Sequence, residues 1–194
     1  MTLTIAILAG GESRRMGTDK AGLEIGGMTL LERTARLALA QNLPVLVVGR
    51  ARPDGWPLPD ITFIADAEPG LGPLGGLAAA LSHTRGSVLA LACDLPLLTE
   101  ETLRWRTELA KEIVAAHGRV TVNGGQLEPL FSIYRPLARV LIEAQLAQGR
   151  RSLHGLIGAG KFVLDPAPDW VAAQLFNANT PEDWAKIGTY RAET

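Results

Sequence analysis

Residues 3–20 read LTIAILAGGESRRMGTDK, in which a short apolar run leads directly into two adjacent glycines and a basic segment. The run Leu3–Leu8 predicts a strand buried on both faces, because it shows no regular polar alternation. Adjacent glycines let the backbone pass close to a ligand and direct its N–H groups at anionic oxygens. Arg14, Arg15 and Lys20 add three cations within seven residues, which suits the charge of a triphosphate. The segment therefore predicts a phosphate-binding loop directly after the first strand.

Two better-known phosphate loops do not fit this spacing. A P-loop requires Gly-Lys followed by Ser or Thr, whereas Gly17 is followed by Thr18 and Asp19. The dinucleotide-binding pattern G-x-G-x-x-G is absent from the segment as well. The alternative is a basic surface loop whose glycines only serve a turn. Cations placed immediately after a strand favour ligand binding, because ligands of open α/β sheets bind beyond the carboxyl ends of strands.

Beyond this segment, short apolar runs alternate with helical patterns, which predicts an α/β fold with a largely parallel sheet covered by helices. The predicted strands span residues 3–8, 45–48, 61–64, 88–93, 120–123, 129–134, 162–164 and 174–176. The predicted helices follow Thr29, Leu74 and Thr99, span 137–147, and begin at Thr180. Thr29 and Glu32 have the spacing of a capping box, and residues 50–60 predict a loop. No linker divides the chain, so we expect one domain.

The composition restricts the class of protein. The chain has 194 residues, of which 47% are apolar and 20% charged, and its formal net charge is -1. The lack of a basic excess argues against a broad nucleic-acid footprint. The single cysteine, Cys93, cannot form an internal disulfide, which agrees with a reducing compartment. No apolar run approaches the roughly 18 residues of a membrane span, and the N-terminus does not resemble a signal peptide. We expect a cytoplasmic domain without a membrane or nucleic-acid partner.

Two aspartates follow predicted strands. Asp94 follows the run 88–93, at the edge of the sheet where the first loop lies, so its carboxylate can meet phosphates bound there. Transfer at a phosphorus atom needs charge neutralisation, which Mg²⁺ held by one or two carboxylates supplies. Asp94 is therefore the metal candidate, and a helix-cap or turn aspartate is the alternative. Asp66 follows the run 61–64 and precedes a glycine-rich loop, where a turn residue is equally consistent.

Two further polar segments predict the other end of the site. Glycines at positions 70, 72, 75 and 76 form a second flexible segment before an alanine-rich helix, whose N-terminus offers N–H donors. Asn177 and Asn179 present two amides, each able to donate and accept, which suits a polar heterocycle or a phosphate. The alternative for the asparagines is a loop in which the amides satisfy nearby backbone.

These residues together resemble a known family. The segment L-A-G-G-x-S-R-R-M-G-x-D-K is similar to that of the molybdenum cofactor guanylyltransferases and their nucleotidyltransferase relatives. Further matches follow in the expected order at Asp66, at 72–76 (GPLGG), at 93–96 (CDLP) and at 177–183 (NANTPED), so the resemblance covers essentially the whole chain. It implies a three-layer α/β/α Rossmann-like fold with a mostly parallel, mixed central sheet. The nucleotide-binding part would span about 1–100 and the acceptor-binding part about 101–194.

The resemblance also implies a reaction and its residues. The reaction is Mg²⁺-dependent transfer of GMP from GTP to the phosphate of molybdopterin. The implied partners are these two substrates, together with transient contacts with cofactor-biosynthesis proteins and molybdoenzymes. Lys20, Arg15 and Asp94 would be catalytic, and Asp94 would bind the metal. The implied nucleotide-binding residues are Leu8, Ala9, Gly10, Gly11, Lys20, Asp66 and Asp94. The implied acceptor-binding residues are Gly75, Gly76, Asn177 and Asn179.

Some features leave alternatives open. Gly49 stands where the guanylyltransferases commonly carry a polar residue, while Gly10-Gly11 favours guanine by resemblance. A cytidylyltransferase for the same cofactor, a nucleotidyltransferase for another small phosphate and a non-catalytic nucleotide-binding regulator remain alternatives.

Arg150 and Arg151 suit either an acceptor phosphate or a solvated helix end. The histidines at 83, 117 and 154 lack metal-ligand spacing and are interpreted as ordinary surface or core residues. Glu128 receives no role.

Overall fold

The computed structural model describes residues 2–10, 20–65, 70–112, 115–176 and 178. The described residues form a central seven-stranded sheet and a two-stranded hairpin. The strands are β1 (Leu3–Leu8), β2 (Glu24–Ile25), β3 (Met28–Thr29), β4 (Val45–Val48), β5 (Ile61–Ile64), β6 (Ser87–Ala92), β7 (Gly118–Asn123), β8 (Gln126–Tyr134) and β9 (Phe162–Pro166). The helices are α1 (Leu30–Leu39), α2 (Gly72–His83), α3 (Glu100–Leu109), α4 (Ala138–Ala147), α5 (Leu153–Ala159) and α6 (Asp169–Ala172).

The central sheet has the strand order β5-β4-β1-β6-β8-β7-β9. β8 runs antiparallel to both of its neighbours, and the other described strands of the sheet run in one direction. From β1 the chain moves outward to β4 and β5, and then returns through α2 to β6 on the other side of β1. The reversal places a topological switch point between β1 and β6.

Helices cover both faces of the sheet, so the predicted three-layer α/β/α fold with a mostly parallel, mixed sheet is confirmed. One hydrophobic cluster joins α1 and α3 to one face, and a second joins α2, α4 and α5 to the other. Alternate residues of β1 serve the two clusters: Ile5 and Ile7 belong to the first, and Ala6 belongs to the second. Because both faces are covered, the parallel strands read as continuous apolar runs.

Threonine caps begin two of the helices as expected. The Thr29 hydroxyl accepts from the Glu32 N–H at 3.1 Å, and the Thr99 hydroxyl accepts from the Thr102 N–H at 3.3 Å. The reciprocal half of the predicted capping box is wrong, because the Glu32 carboxylate accepts from Arg36 at 2.7 Å instead. In the part of the chain that the structure describes, no helix is long and apolar enough to cross a membrane.

Several predicted boundaries need correction. The helix expected after Leu74 begins at Gly72, because a proline at position 73 is tolerated in a first helical turn, where its missing N–H has no partner to lose. The predicted strand 174–176 is wrong. Gln174 instead lies in a turn, with its N–H donating to the Val171 carbonyl at 2.9 Å, and Leu175 packs in the α1/α3 cluster. The hairpin β2–β3 and the short helices α5 and α6 had no prediction.

A buried ion cluster joins α3 to the far end of the sheet. Asp165 on β9 accepts from Arg106 of α3 at 2.6 Å and from Arg119 of β7 at 2.7 Å. Burial acts to raise the pKa of Asp165, but hydrogen bonds from Arg119 and Arg106 outweigh it, so the pKa of this carboxyl is lowered. Arg119 also donates to Glu112 at 2.6 Å. The cluster fixes the position of β7 and β9 relative to α3.

Candidate active site

Four neighbouring parallel strands end level with one another. In the sheet register Leu8 of β1 pairs with Val48 of β4 on one side and with Ala92 of β6 on the other, and Val48 pairs with Ile64 of β5. The Ala9 N–H then donates to the Val48 carbonyl at 2.9 Å, so pairing continues one residue past the strand. The loops that follow these strands therefore leave from one edge of the sheet.

The crevice between β1 and β6 is bordered by the predicted nucleotide loop and by Asp94. Leu8 and Ala9 are partly exposed at the end of β1, and Gly10 is exposed. Asp94 lies two residues beyond β6 and is partly exposed on the other side of the switch point. The structure thus brings Leu8, Ala9 and Gly10 to the same crevice as Asp94, where open α/β sheets bind their ligands.

The C-terminal segment reaches this crevice through Ala178. The buried Ala178 N–H donates to the Asp94 carbonyl at 3.2 Å. Further back, the Gln174 side-chain oxygen accepts from the hydroxyl of Thr99 at 2.7 Å and from that of Thr102. The start of α3 therefore holds Gln174, and Ala178 lies beside Asp94.

The second glycine segment is part helix and part loop. Gly70 and Gly72 have φ values of +86° and +65°, which favour glycine. Gly75 and Gly76, in contrast, lie inside α2 and are buried, so the predicted flexible segment ends earlier than expected. A Cβ on Gly75 would approach the Leu71 Cβ to 2.4 Å, so close packing with Leu71 accounts for this glycine.

Arg151 is hydrogen-bonded to the loop that precedes α2. Its Nη1 donates to the Gly70 carbonyl at 2.8 Å, which ties the segment before α5 to the segment before α2. The Ser152 hydroxyl then caps α5 by accepting from the Gly155 N–H at 3.2 Å. The N-termini of α2 and α5 are therefore held together on one side of the sheet.

Glu128 is a residue of this edge that the sequence analysis did not assign. Its carboxyl is half-buried on β8, and burial raises its pKa, against the effect of a hydrogen bond with Asn123. The charges of His154 and Asp94 also act on this pKa, so both lie near the carboxyl. The Glu-Pro pair at 128–129, directly before the apolar residues Leu130 and Phe131, was the available signal.

The end of β4 explains the departure at Gly49. Gly49 has a φ of +92°, a conformation that favours glycine, and its N–H donates to the Ile64 carbonyl at 3.0 Å. Arg50 follows it and lines an open groove of about 740 Å³ along the outer strand β5. Arg52 covers the same edge strand by donating to the Ile61 carbonyl at 2.6 Å.

Part of the predicted site falls outside the described residues. These predictions are Gly11, Arg14, Arg15, Asp66, Asn177, Asn179 and the helix from Thr180. The backbone of Lys20 is described and begins a short 3-10 turn, Lys20–Gly22, in which Ala21 is buried in the α1/α3 cluster. Among the described residues no three His, Cys, Asp or Glu side chains converge as a metal site.

A mostly parallel sheet with a basic glycine-rich segment after β1, and with an aspartate after β6 across the switch point, suits an enzyme that binds a nucleotide. The model of the MobA-like NTP transferase domain family matches residues 5–160, and the chain belongs to this family.

Relatives and solved structures agree with this assignment. A protein of Synechococcus elongatus called probable molybdenum cofactor guanylyltransferase is 38% identical, over 96% of this chain and 98% of its own length. A protein of the same description from Chloroflexus aggregans is 33% identical, over 100% of this chain and 97% of its own. The crystal structure of molybdopterin-guanine dinucleotide biosynthesis protein A from Archaeoglobus fulgidus has a TM-score of 0.79 and 24% identity, and the match covers 98% of this chain and 100% of that one. This structural likeness shows the same fold.

Proposed function

We propose that the chain transfers GMP from GTP to the phosphate of molybdopterin, giving the guanine dinucleotide form of the cofactor and pyrophosphate. The observation that carries the proposal is the position of Asp94 across the β1–β6 crevice from Ala9 and Gly10. A triphosphate held by the glycine loop would there meet a carboxylate able to bind its metal ion. The names of the relatives from Synechococcus elongatus and Chloroflexus aggregans support the choice of guanylyl donor and cofactor acceptor.

The reaction is an in-line displacement at phosphorus. An oxygen of the acceptor phosphate forms a bond to the α-phosphorus of GTP, the bond from that phosphorus to the bridging oxygen breaks, and pyrophosphate leaves with the electron pair. The acceptor phosphate is already ionised at neutral pH, so the reaction needs no strong base. The contribution of the protein is therefore positioning and charge stabilisation.

Each predicted residue has a part in that contribution. Lys20 and Arg15 would stabilise negative charge on the phosphates as pyrophosphate separates. The nucleotide would be held by Leu8, Ala9, Gly10, Gly11 and Asp66. Asp94 would hold Mg²⁺, which supplies neutralisation of the phosphate oxygens when it is bound. The acceptor would lie towards Gly75, Gly76, Asn177 and Asn179, on the far side of the crevice.

The test is pyrophosphate release with GTP, CTP and ATP supplied separately, each with molybdopterin or its molybdenum form, and with and without Mg²⁺. We expect release with GTP that depends on Mg²⁺ and on the acceptor. Release with CTP would instead assign a cytidylyltransferase. Tight GTP binding without pyrophosphate release under any acceptor would identify a nucleotide-binding regulator, and release only with another phosphate would change the acceptor.

The proposal includes a cytoplasmic location and transient contacts with the proteins that make and receive the cofactor.

A further inference from the structure

Glu128 lies on the acceptor side of the crevice and has no part in the chemistry above. β6 and β8 are antiparallel, with Val88 opposite Tyr134 and Leu91 opposite Phe131. Asp94 lies three residues beyond Leu91, and Glu128 lies three residues before Phe131, so both residues are found towards the same edge of the sheet. The charge of Asp94 acts on the pKa of Glu128, so the two carboxylates lie near each other at this edge. Glu128 therefore lies beside the crevice, on the strand that is farther from the nucleotide loop.

Buried hydroxyl groups fix the backbone that carries Glu128. The fully buried Ser132 donates from its hydroxyl to the Glu128 carbonyl at 2.6 Å, and the Thr121 N–H donates to that hydroxyl at 3.1 Å. The Tyr134 hydroxyl donates to the Pro129 carbonyl at 2.9 Å. These contacts accompany a register shift between β7 and β8, a bulge of the kind that redirects side chains next to active sites and that accommodates a proline within a sheet.

The surroundings of the carboxylate restrict what it can bind. A half-buried carboxylate accepts hydrogen bonds and repels anions. Asn123 supplies one hydrogen bond, and His154 of α5 lies nearby. The phosphate and the dithiolene sulfurs of molybdopterin are anionic, so the carboxylate would repel them. The pterin ring instead carries an amino group and ring N–H groups, which are donors that a carboxylate binds well.

We propose that Glu128 is a specificity-determining residue that accepts hydrogen bonds from the N–H donors of the acceptor's pterin ring. This inference rests on the proposed function, because the acceptor is taken from it. It adds a residue of β8 to an acceptor site otherwise assigned to the two glycines of α2 and the two asparagines. The bulge and the buried hydroxyls would then hold the Glu128 carboxylate in a fixed position for this contact.

The experiment compares the full-length protein with Glu128→Gln, Glu128→Ala and the control Glu101→Gln, whose carboxylate is exposed on α3. Four quantities are measured anaerobically: the KM and the kcat for molybdopterin, the Kd of Mg-GTP, and the Kd of molybdopterin in the absence of nucleotide. We expect Glu128→Ala to weaken molybdopterin binding and raise its KM by about 10- to 100-fold, as for loss of a charged hydrogen bond. Glu128→Gln should have a smaller effect in the same direction, and the Kd of Mg-GTP should change less than about twofold in both variants.

Unchanged molybdopterin binding in both Glu128 variants would overturn the inference. A parallel loss of Mg²⁺ affinity and Mg-GTP affinity would also overturn it, because Glu128 would then act as a metal ligand. The nucleotide-free measurement separates this result from failure of the proposed function, since a protein that uses CTP would still show the Glu128 effect on molybdopterin. Glu128→Gln keeps the size of the side chain, so it answers the question if the alanine variant does not fold.

Discussion

At the scale of single residues, Asp94 carries the largest part of the proposed chemistry. Its main-chain carbonyl is fixed by Ala178, while its side chain is partly exposed beyond the strand end. The fixed backbone positions the carboxylate at the crevice, where it would bind a metal ion together with water and substrate oxygens. Lys20, at the end of the segment that follows β1, is the cation proposed to stabilise negative charge on the phosphates.

We predict that Asp94→Ala and Lys20→Ala each lower kcat by about 10²- to 10³-fold, the usual effect of removing a group that stabilises transition-state charge. Asp94→Ala should also raise the Mg²⁺ concentration needed for half-maximal rate, whereas Lys20→Ala should not. Steady-state kinetics with varied Mg²⁺ measure both effects. Asp54→Ala, in an exposed turn, serves as the control. Near-normal turnover in either of the two site variants would remove the role assigned to it.

At the scale of elements, the start of α3 organises the C-terminal part of the site. Thr99 caps the helix and also donates to Gln174, and Thr102 donates to the same oxygen. Both hydroxyls donate to the side-chain oxygen of Gln174, so the amide nitrogen of Gln174 takes no part in this contact. These two hydrogen bonds join α3 to Gln174, four residues before the Ala178 that contacts Asp94.

This arrangement predicts that Gln174→Leu raises the KM for the acceptor by about 3- to 30-fold, the value of one or two hydrogen bonds. Gln174→Glu keeps the accepting oxygen and should restore the KM to within about threefold of the parent. Gln41→Leu is a matched control, because Gln41 donates to the Glu100 carbonyl at the same end of α3. Equal KM values for Gln174→Leu and Gln41→Leu, with similar changes in Tm, would show a merely structural role for Gln174.

The elements also show what the sequence predicts well. The strands at 3–8, 45–48 and 61–64 have the predicted bounds, because apolar runs between turn residues leave little choice in a sheet covered on both faces. The strand predicted at 174–176 is wrong, because a run as short as Leu175-Phe176 looks alike whether it pairs in a sheet or packs against a helix. Glu128 was missed for another reason: its position depends on the register between strands far apart in the chain.

At the scale of the whole molecule, the buried cluster of Arg106, Arg119 and Asp165 connects the helical layer to the end of the sheet. The pKa of Asp165 is lowered in the folded protein, so the unfolded chain binds this proton more tightly. The stabilisation is therefore complete above the unfolded pKa of about 4, and it is lost as the pH falls through the lower folded value.

We predict that Asp165→Asn lowers the free energy of unfolding at pH 7 by about 3–5 kcal/mol, because it leaves two buried guanidinium groups without their carboxylate. Its stability should also fall less steeply than that of the parent below about pH 4. Denaturant unfolding across this pH range measures both effects. Glu108→Gln, which removes an exposed pair with Lys111, should cost less than about 1 kcal/mol. Equal stability of Asp165→Asn and the parent at pH 7 would contradict the role of the cluster.

The reversal of β8 has a consequence for how such a molecule can change over evolutionary time. β7 and β8 are joined by a tight turn at Gly124 and Gly125, which have φ values of +56° and +83°. The turn follows β7 directly and lies at the same edge of the sheet as the carboxyl ends of the parallel strands. Insertions and exchanges at hairpin turns are tolerated because they leave the core in register. Because Glu128 lies on this hairpin, changes at the turn would alter the proposed acceptor contact while leaving the loop after β1 unchanged.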